Sequence, residues 1–244
     1  MKNPQLIGVY DLPTANNVCN QILREVISLP KFSMAHVTMN TGNVSLLHKH
    51  SKMTEIYFIQ KGKGILYHGD SALSVRKGAY FIIPPHVQHK LKNTGNTDLE
   101  HLVFALPPFD PKDIQILDDD NRNIVINKYG YNKEPFEAKD GAMIYELIES
   151  EERKKLDFAL AVGFLPKGRK ALAHHHDISE ELYYFLSGEG RVRVGREYFD
   201  VKKGSLVYIP VNNIHALENK SDSEELEVLC VSSPAYTEKD FIFD

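Results

Sequence analysis

The 244-residue chain carries a formal net charge of −4, with 42% hydrophobic and 25% charged residues, the balance of a soluble globular protein with a real core. Its 29 Lys and Arg are scattered, with no run of five, which removes the electrostatic reason to expect nucleic acid or an anionic membrane as partner. No apolar stretch nears the roughly 18 residues of a spanning helix, and two distant cysteines, Cys19 and Cys230, argue against a thiolate metal site or a disulfide framework.

In chain order, the opening MKNPQLIGVYDLPTANN lacks the apolar core of a secretory signal, so the cytoplasm is the expected location. Val18 to Ile27 fits an amphipathic helix by spacing, but its counterpart MIYELI at 143–148 reads as a strand, and a strand is expected for both. Residues 41–64, TGNVSLLHKHSKMTEIYFIQKGKG, place two histidines one residue apart and then a strand of period two, with Glu55, Tyr57 and Ile59 on one face. GKG closes it with a tight turn. KGAYFIIPPHVQHKLKN follows at 77–93, with His89 after a proline turn. Residues 107–140 are rich in Pro, Asp and Asn and read as an ordered connector. Its start, PPFDPKD, is echoed near the C-terminus by SPAYTEKD. Such an arm after each β unit is expected to pack on the other domain or a neighbouring chain, or to stay exposed as a tail.

The second half repeats the first. KGRKALAHHHDISEELYYFLSGEG (167–190) and KGSLVYIPVNNIHALEN (203–219) match the earlier segments at a constant offset of 126. His48, His50, Glu55 and His89 thereby pair with His174, His176, Glu181 and His215. The offset resolves the HHH run: His175 stands where Lys49 does, and Glu180 where Thr54 does, so both are bystanders. Three imidazoles and a carboxylate suit a divalent transition metal, Fe, Mn, Ni, Zn or Cu, and two such ions per chain are expected. Packing alone is a poor reason to repeat four buried polar groups, because an unpaired imidazole or carboxylate is costly.

The pattern resembles the cupin superfamily, specifically its two-domain bicupins. The family motif G-x5-H-x-H-x4-E-x6-G matches Gly42, His48, His50, Glu55 and Gly62, and again Gly168, His174, His176, Glu181 and Gly188. G-x5-P-x-G-x2-H-x3-N matches Gly78, Pro84, His89 and Asn93, and again Gly204, Pro210, His215 and Asn219. The middle glycine of the second motif is His86 in one copy and Asn212 in the other; both tolerate positive φ, so preserved turn geometry is expected, with a role for His86 beside the site as the sharper alternative. The resemblance implies an all-β fold of tandem double-stranded β-helix (jelly-roll, cupin) barrels: residues 1–106 as N-terminal barrel, 107–140 as connector and 141–244 as C-terminal barrel with an arm.

Strand alternation then puts Tyr57 with Leu46 in the first pocket and Tyr183 with Leu172 in the second, mostly apolar walls for a small organic ligand. The tyrosines read as core filler that needs a hydrogen-bond partner. Arg191 and Arg193 are expected on the solvent face. Oxalate decarboxylases, which the chain resembles in having two complete sites, carry an arginine three residues before the first ligand histidine; here Ser45 and Ala171 stand there, which disfavours that chemistry. The expected function is a metal-dependent enzyme on a small organic substrate, a dioxygenase-type oxidoreductase first. The alternatives are a non-enzymatic module binding a carbohydrate or carboxylate, or a bicupin decarboxylase, hydrolase or isomerase. A homodimer is the expected assembly.

Overall fold

The computed structural model describes residues 3–15, 17, 19, 21–118, 126–127 and 134–243, with only the backbone of 126–127. The chain divides into two compact units, Leu12–Tyr131, and Met1–Asp11 with Asn132–Asp244. Both are double-sheet β structures, the tandem cupin barrels of the sequence reading.

In the first unit a five-stranded sheet runs in the order Ile22–Ser28, Ser33–Met39, Leu99–Leu106, Thr54–Lys61, Tyr80–Ile83. A six-stranded sheet faces it: Ile114–Ile116, His48–His50, His89–Asn93, Lys63–His68, Ser71–Arg76 and Ile126–Asn127. Every pairing is antiparallel except the last. β-Branched and aromatic side chains fill the space between the sheets, where Val37, Tyr57, Ile59, Leu66, Phe81 and Leu91 form one buried cluster; such residues fit a pleated, half-buried surface. Tyr183, Phe185, Val192, Val207, Leu217 and Val228 do the same in the second unit.

The motif glycines have a steric reason. Gly62 and Gly188 sit at φ +86° and +81°, and a Cβ on either would come within 2.7 Å of a backbone carbonyl, Asp98 O or Glu225 O. The left-handed conformation and the close approach both demand glycine. His86 (φ 70°) and Asn212 (φ 60°) hold positive φ as expected. Their amides donate to His50 O at 2.6 Å and His176 O at 2.7 Å, tying the proline turn to the strand that carries two ligands. His86 is exposed and lies outside the cavity lining.

Three features depart from the sequence reading. Gln5–Gly8, placed there in the first barrel, pairs with Ser205–Tyr208 of the second unit. The two arms neither cross to another unit nor hang free: Ile114–Ile116 pairs with His48–His50, and Ile242–Phe243 pairs with His174–His175. Each arm adds an edge strand to the ligand strand of its own barrel, satisfying backbone groups that would otherwise be orphaned. Within the connector, Phe136–Glu137 forms a hairpin with Met143–Glu146; residues 119–125 and 128–133 lie outside the described residues. Ile22–Ser28 and Met143–Glu146 are strands, while residues 18 and 20 of the expected element are also outside the described set. A short helix, Ser150–Leu156, follows Met143–Glu146; the first unit has only the tight turn Leu29–Phe32 at that place.

Candidate metal centres and their cavities

The barrel brings the four polar residues of each repeat together by register. His48 pairs directly with His89 across neighbouring strands, and His174 with His215. His48 and His50 project on the same side of a strand, and Glu55 arrives from the facing sheet. In each unit one ligating atom per residue falls within 4.8 Å of all the others, and all eight residues are buried. His175 is outside the cluster, 3.4 Å from Asp177, and Glu180 accepts from the Tyr208 hydroxyl at 2.7 Å.

Backbone carbonyls orient the rings. His48 Nδ1 lies 2.9 Å from Leu46 O and His89 Nδ1 3.0 Å from Val87 O; His174 Nδ1 lies 3.1 Å from Leu172 O and His215 Nδ1 2.9 Å from Asn213 O. A ring donating from Nδ1 presents the lone pair of Nε2 to the cluster. Burial, then the neighbouring His89 or His215, lowers His48 and His174 to about 4, which keeps both neutral. Burial would raise the glutamates, but the facing histidines overcome it: Glu55 lies well below its ordinary value and Glu181 falls to about 2. Tyr57 donates to Glu55 at 3.2 Å, the partner its buried phenol requires.

These groups fit a cation. Glu181 Oε2 and His215 Nε2 face each other at 3.0 Å, yet neither makes a hydrogen bond, and His50 Nε2 is buried in the same condition. Converging acceptors that find no donor are costly as they stand and become ligands when an ion enters. The donor set suits two divalent transition-metal ions per chain, one in each unit.

Each cluster opens into a cavity, about 640 Å³ in the first unit and about 520 Å³ in the second. Tyr57 and Tyr183 line them, as expected. Leu46 and Leu172 do not: they are 44% and 57% exposed. The alternation that placed them assumes a strand reaching back from the histidines, but the strands begin at His48 and His174, and it is the carbonyls of the two leucines that serve the site. Arg191 is on the solvent face as expected, paired with Asp200 at 2.7 Å.

Other wall residues escaped the sequence reading. The first cavity has Cys19, Gln21, Leu23, Glu25 and Met34, with Cys19 Sγ 3.7 Å from His48 Nδ1. The second has Asp140, Ile144, Glu146, Arg153 and Tyr236; Arg153 Nη1 meets Glu146 Oε1 at 2.6 Å. Two arm aspartates hold the loop after each ligand strand. Asp113 accepts from the amides of Ser51, Lys52 and Met53 and from the Ser51 hydroxyl. Asp240 accepts from the amides of Asp177, Ile178 and Ser179 and from the Ser179 hydroxyl at 2.6 Å. The KD pair that ends both echoed arm segments is the sequence signal for them.

The family profile for the cupin domain matches residues 35–105 and 162–232. An uncharacterized protein of Methanocaldococcus jannaschii is 40% identical over 116 residues, 47% of this chain and 92% of that one. An oxalate-binding protein of Thermotoga maritima is 34% identical over 72 residues, 30% of this chain and 60% of its own length. Among solved structures, the formate complex of Lactobacillus farciminis oxalate decarboxylase superposes with a TM-score of 0.76 at 17% identity, covering all of this chain and 89% of that one. Hazelnut (Corylus avellana) vicilin reaches 0.74 at 12% identity over 94% of this chain and 85% of its own. Such likenesses show the fold, and one fold hosts both names.

Proposed function

The chain belongs to the cupin family, and on that footing we propose that it is a metal-dependent enzyme that acts on a small carboxylate, decarboxylation being the first reaction class to test. The observation that carries this reading is the pair of buried His3Glu clusters, each open to a cavity of ligand size. A bound divalent ion would supply Lewis-acid polarisation of the substrate's oxygens. The chain's own residues do the rest. Carbonyls of Leu46, Val87, Leu172 and Asn213 fix the imidazoles, Glu55 and Glu181 offset positive charge, and apolar walls exclude water. Support also comes from the names of the Thermotoga relative and the Lactobacillus neighbour, and from a study of Mn(II) centres in Bacillus subtilis oxalate decarboxylase, whose structure superposes with a TM-score of 0.73 at 17% identity over 95% of this chain and 78% of that one.

No arginine stands three residues before either histidine pair; Ser45 accepts from Leu91 N at 2.9 Å, and Ala171 is buried. Of the second cavity's cations, Arg153 is paired with Glu146 and Lys139 with Glu238. Among the described residues the first cavity has no Lys or Arg in its lining, which favours, as a second reading, an oxygenase on a neutral substrate there.

The test is metal content by plasma mass spectrometry on untagged protein, then oxalate and related carboxylates assayed for CO2 release alongside oxygen uptake. Two ions per chain with CO2 release and no oxygen consumed is the expected result. Oxygen consumption would put the oxygenase first, and tight binding without turnover would leave a binding module.

A further inference from the structure

The strand register reveals an equivalence that the 126-residue offset hides. Ala15 bridges Leu23 as Phe136 pairs with Ile144. Ile22 and Met143 face Thr38 and Phe164, and Glu25 and Glu146 face Ala35 and Ala161. The two cavity segments, 15–25 and 136–146, therefore match at the described positions with one offset, and position 19 corresponds to position 140. One copy carries a thiol there and the other a carboxylate. Both are nearly buried, at 6% and 9% exposure, and both line the cavity beside the histidine cluster.

We propose that the Asp140 carboxyl is the proton donor and acceptor for a ligand held in the second cavity. The inference rests on the reading above that this cavity takes a small carboxylate. Asp140 is held for such work from two sides: Leu172 N donates to its carbonyl at 2.9 Å, and Ala142 N donates to its Oδ1 at 3.2 Å. Among the described residues only backbone amides donate to this carboxyl, and no side chain does. Burial, with Glu181 acting in the same sense, raises its pKa, the direction that suits a carboxyl which carries a proton.

Of the other wall carboxylates of the second cavity, Glu146 is engaged by Arg153 and Glu238 by Lys139. When a substrate carboxylate leaves as CO2, the electron pair of the broken carbon–carbon bond stays on the remaining carbon. Asp140 gives that carbon its proton, becomes a carboxylate, and is reprotonated from water. In the first cavity the same place holds Cys19, a thiol that burial pushes up to about 12.

The experiment compares wild type, D140N, D140E and C19D as full chains loaded with manganese, with metal content checked first. Azide, a small anion for an open metal site, is bound calorimetrically in two buffers of different ionisation heat, which counts protons exchanged. D140N should keep both ions and exchange about one proton fewer per chain; D140E should restore that proton, and C19D should add one. Where turnover is found, D140N should lower kcat by about 100-fold or more with little change in KM.

An unchanged proton count in D140N overturns the assignment, and so does loss of an ion, which would make Asp140 a ligand. Azide binding without oxalate binding would strike the carboxylate substrate while the proton count still decides for Asp140. No azide binding to the wild type would overturn both.

Discussion

The two barrels agree where the metal would sit and differ where a substrate would. His48, His50, Glu55 and His89 reappear as His174, His176, Glu181 and His215 with the same burial and nearly the same spacings, 3.0 Å from glutamate to the last histidine in both. The walls diverge: Cys19 stands against Asp140, and Glu25 against an Arg153-bound Glu146. Behind Tyr57, His101, buried and pushed down to about 3, stands against Val228. Arg153 arrives on the helix Ser150–Leu156, present in the second unit alone. The two copies share the ion-binding frame, and substitution and insertion around it give the two cavities different walls.

The sharpest way to break the comparison is to remove one ligand at a time. His48→Ala and His174→Ala are each expected to cost one ion per chain and leave the other, read by plasma mass spectrometry. Retention of both ions in either variant would sink the pairing of clusters with ions. Unequal losses would show that the likeness in geometry hides a difference in affinity.

The arm aspartates come next. Asp113→Ala and Asp240→Ala each strip four hydrogen bonds from the loop after a ligand strand, and about 1–2 kcal/mol of stability should go with each, as for loss of a capping side chain. Chemical denaturation of the metal-free protein measures this. A pH dependence is also expected at Asp113. The Ser51 hydroxyl and the amides of Met53, Lys52 and Ser51 outweigh the opposing effect of burial and hold its pKa at about 2, below the ordinary 3.8. A depressed carboxylate stabilises the fold fully above 3.8 and loses that contribution as pH falls through about 2. In Asp113→Asn the acid limb should flatten in that window; an unchanged limb would mean the loop is held by its backbone.

A smaller effect is expected from Arg153→Met. The pair with Glu146 is only half-buried, so stability should change by less than about 1 kcal/mol. The cavity would gain an unpaired carboxylate and come to resemble the first, where Glu25 has none of this pairing. Oxalate affinity at the second site should fall several-fold, with the first site untouched. Equal loss at both, followed by calorimetry in single-site His48→Ala and His174→Ala backgrounds, would erase the distinction between the cavities.

What could be read from the sequence follows the same division. The clusters were legible because four polar residues recur at one fixed offset, and Gly62 and Gly188 because their backbone requires them. Leu46 and Leu172 were misplaced because period two holds only inside a strand, and their segments are not strands. Cys19 and Asp140 were hidden because the offset drops from 126 to 121 across the hairpins, the five residues gained with the helix that carries Arg153. In the arms it becomes 127, since the loop between Asn219 and Leu226 is one residue longer than that between Asn93 and Leu99. A repeat found by constant spacing is blind to whatever an insertion displaces, and the longer of these two insertions brings Arg153 to the wall of the second cavity.

The smallest expected effect is at the turn that both copies build without glycine. His86 and Asn212 sit at φ 70° and 60°, where an L side chain is strained by about 1 kcal/mol and glycine is not. Glycine gains back some of that in unfolded-chain entropy, so His86→Gly and Asn212→Gly should each shift stability by less than about 1 kcal/mol. His86→Ala should be worse than His86→Gly, because alanine keeps the strain and loses the tolerance of a polar side chain for this region. That order, measured by thermal unfolding, separates the two roles open to His86. If the side chain served the first cavity, His86→Gly would lower ligand binding there while Asn212→Gly left the second cavity alone. If the residue serves the turn, both glycine variants keep binding, because the amide bonded to His50 O or His176 O survives the change.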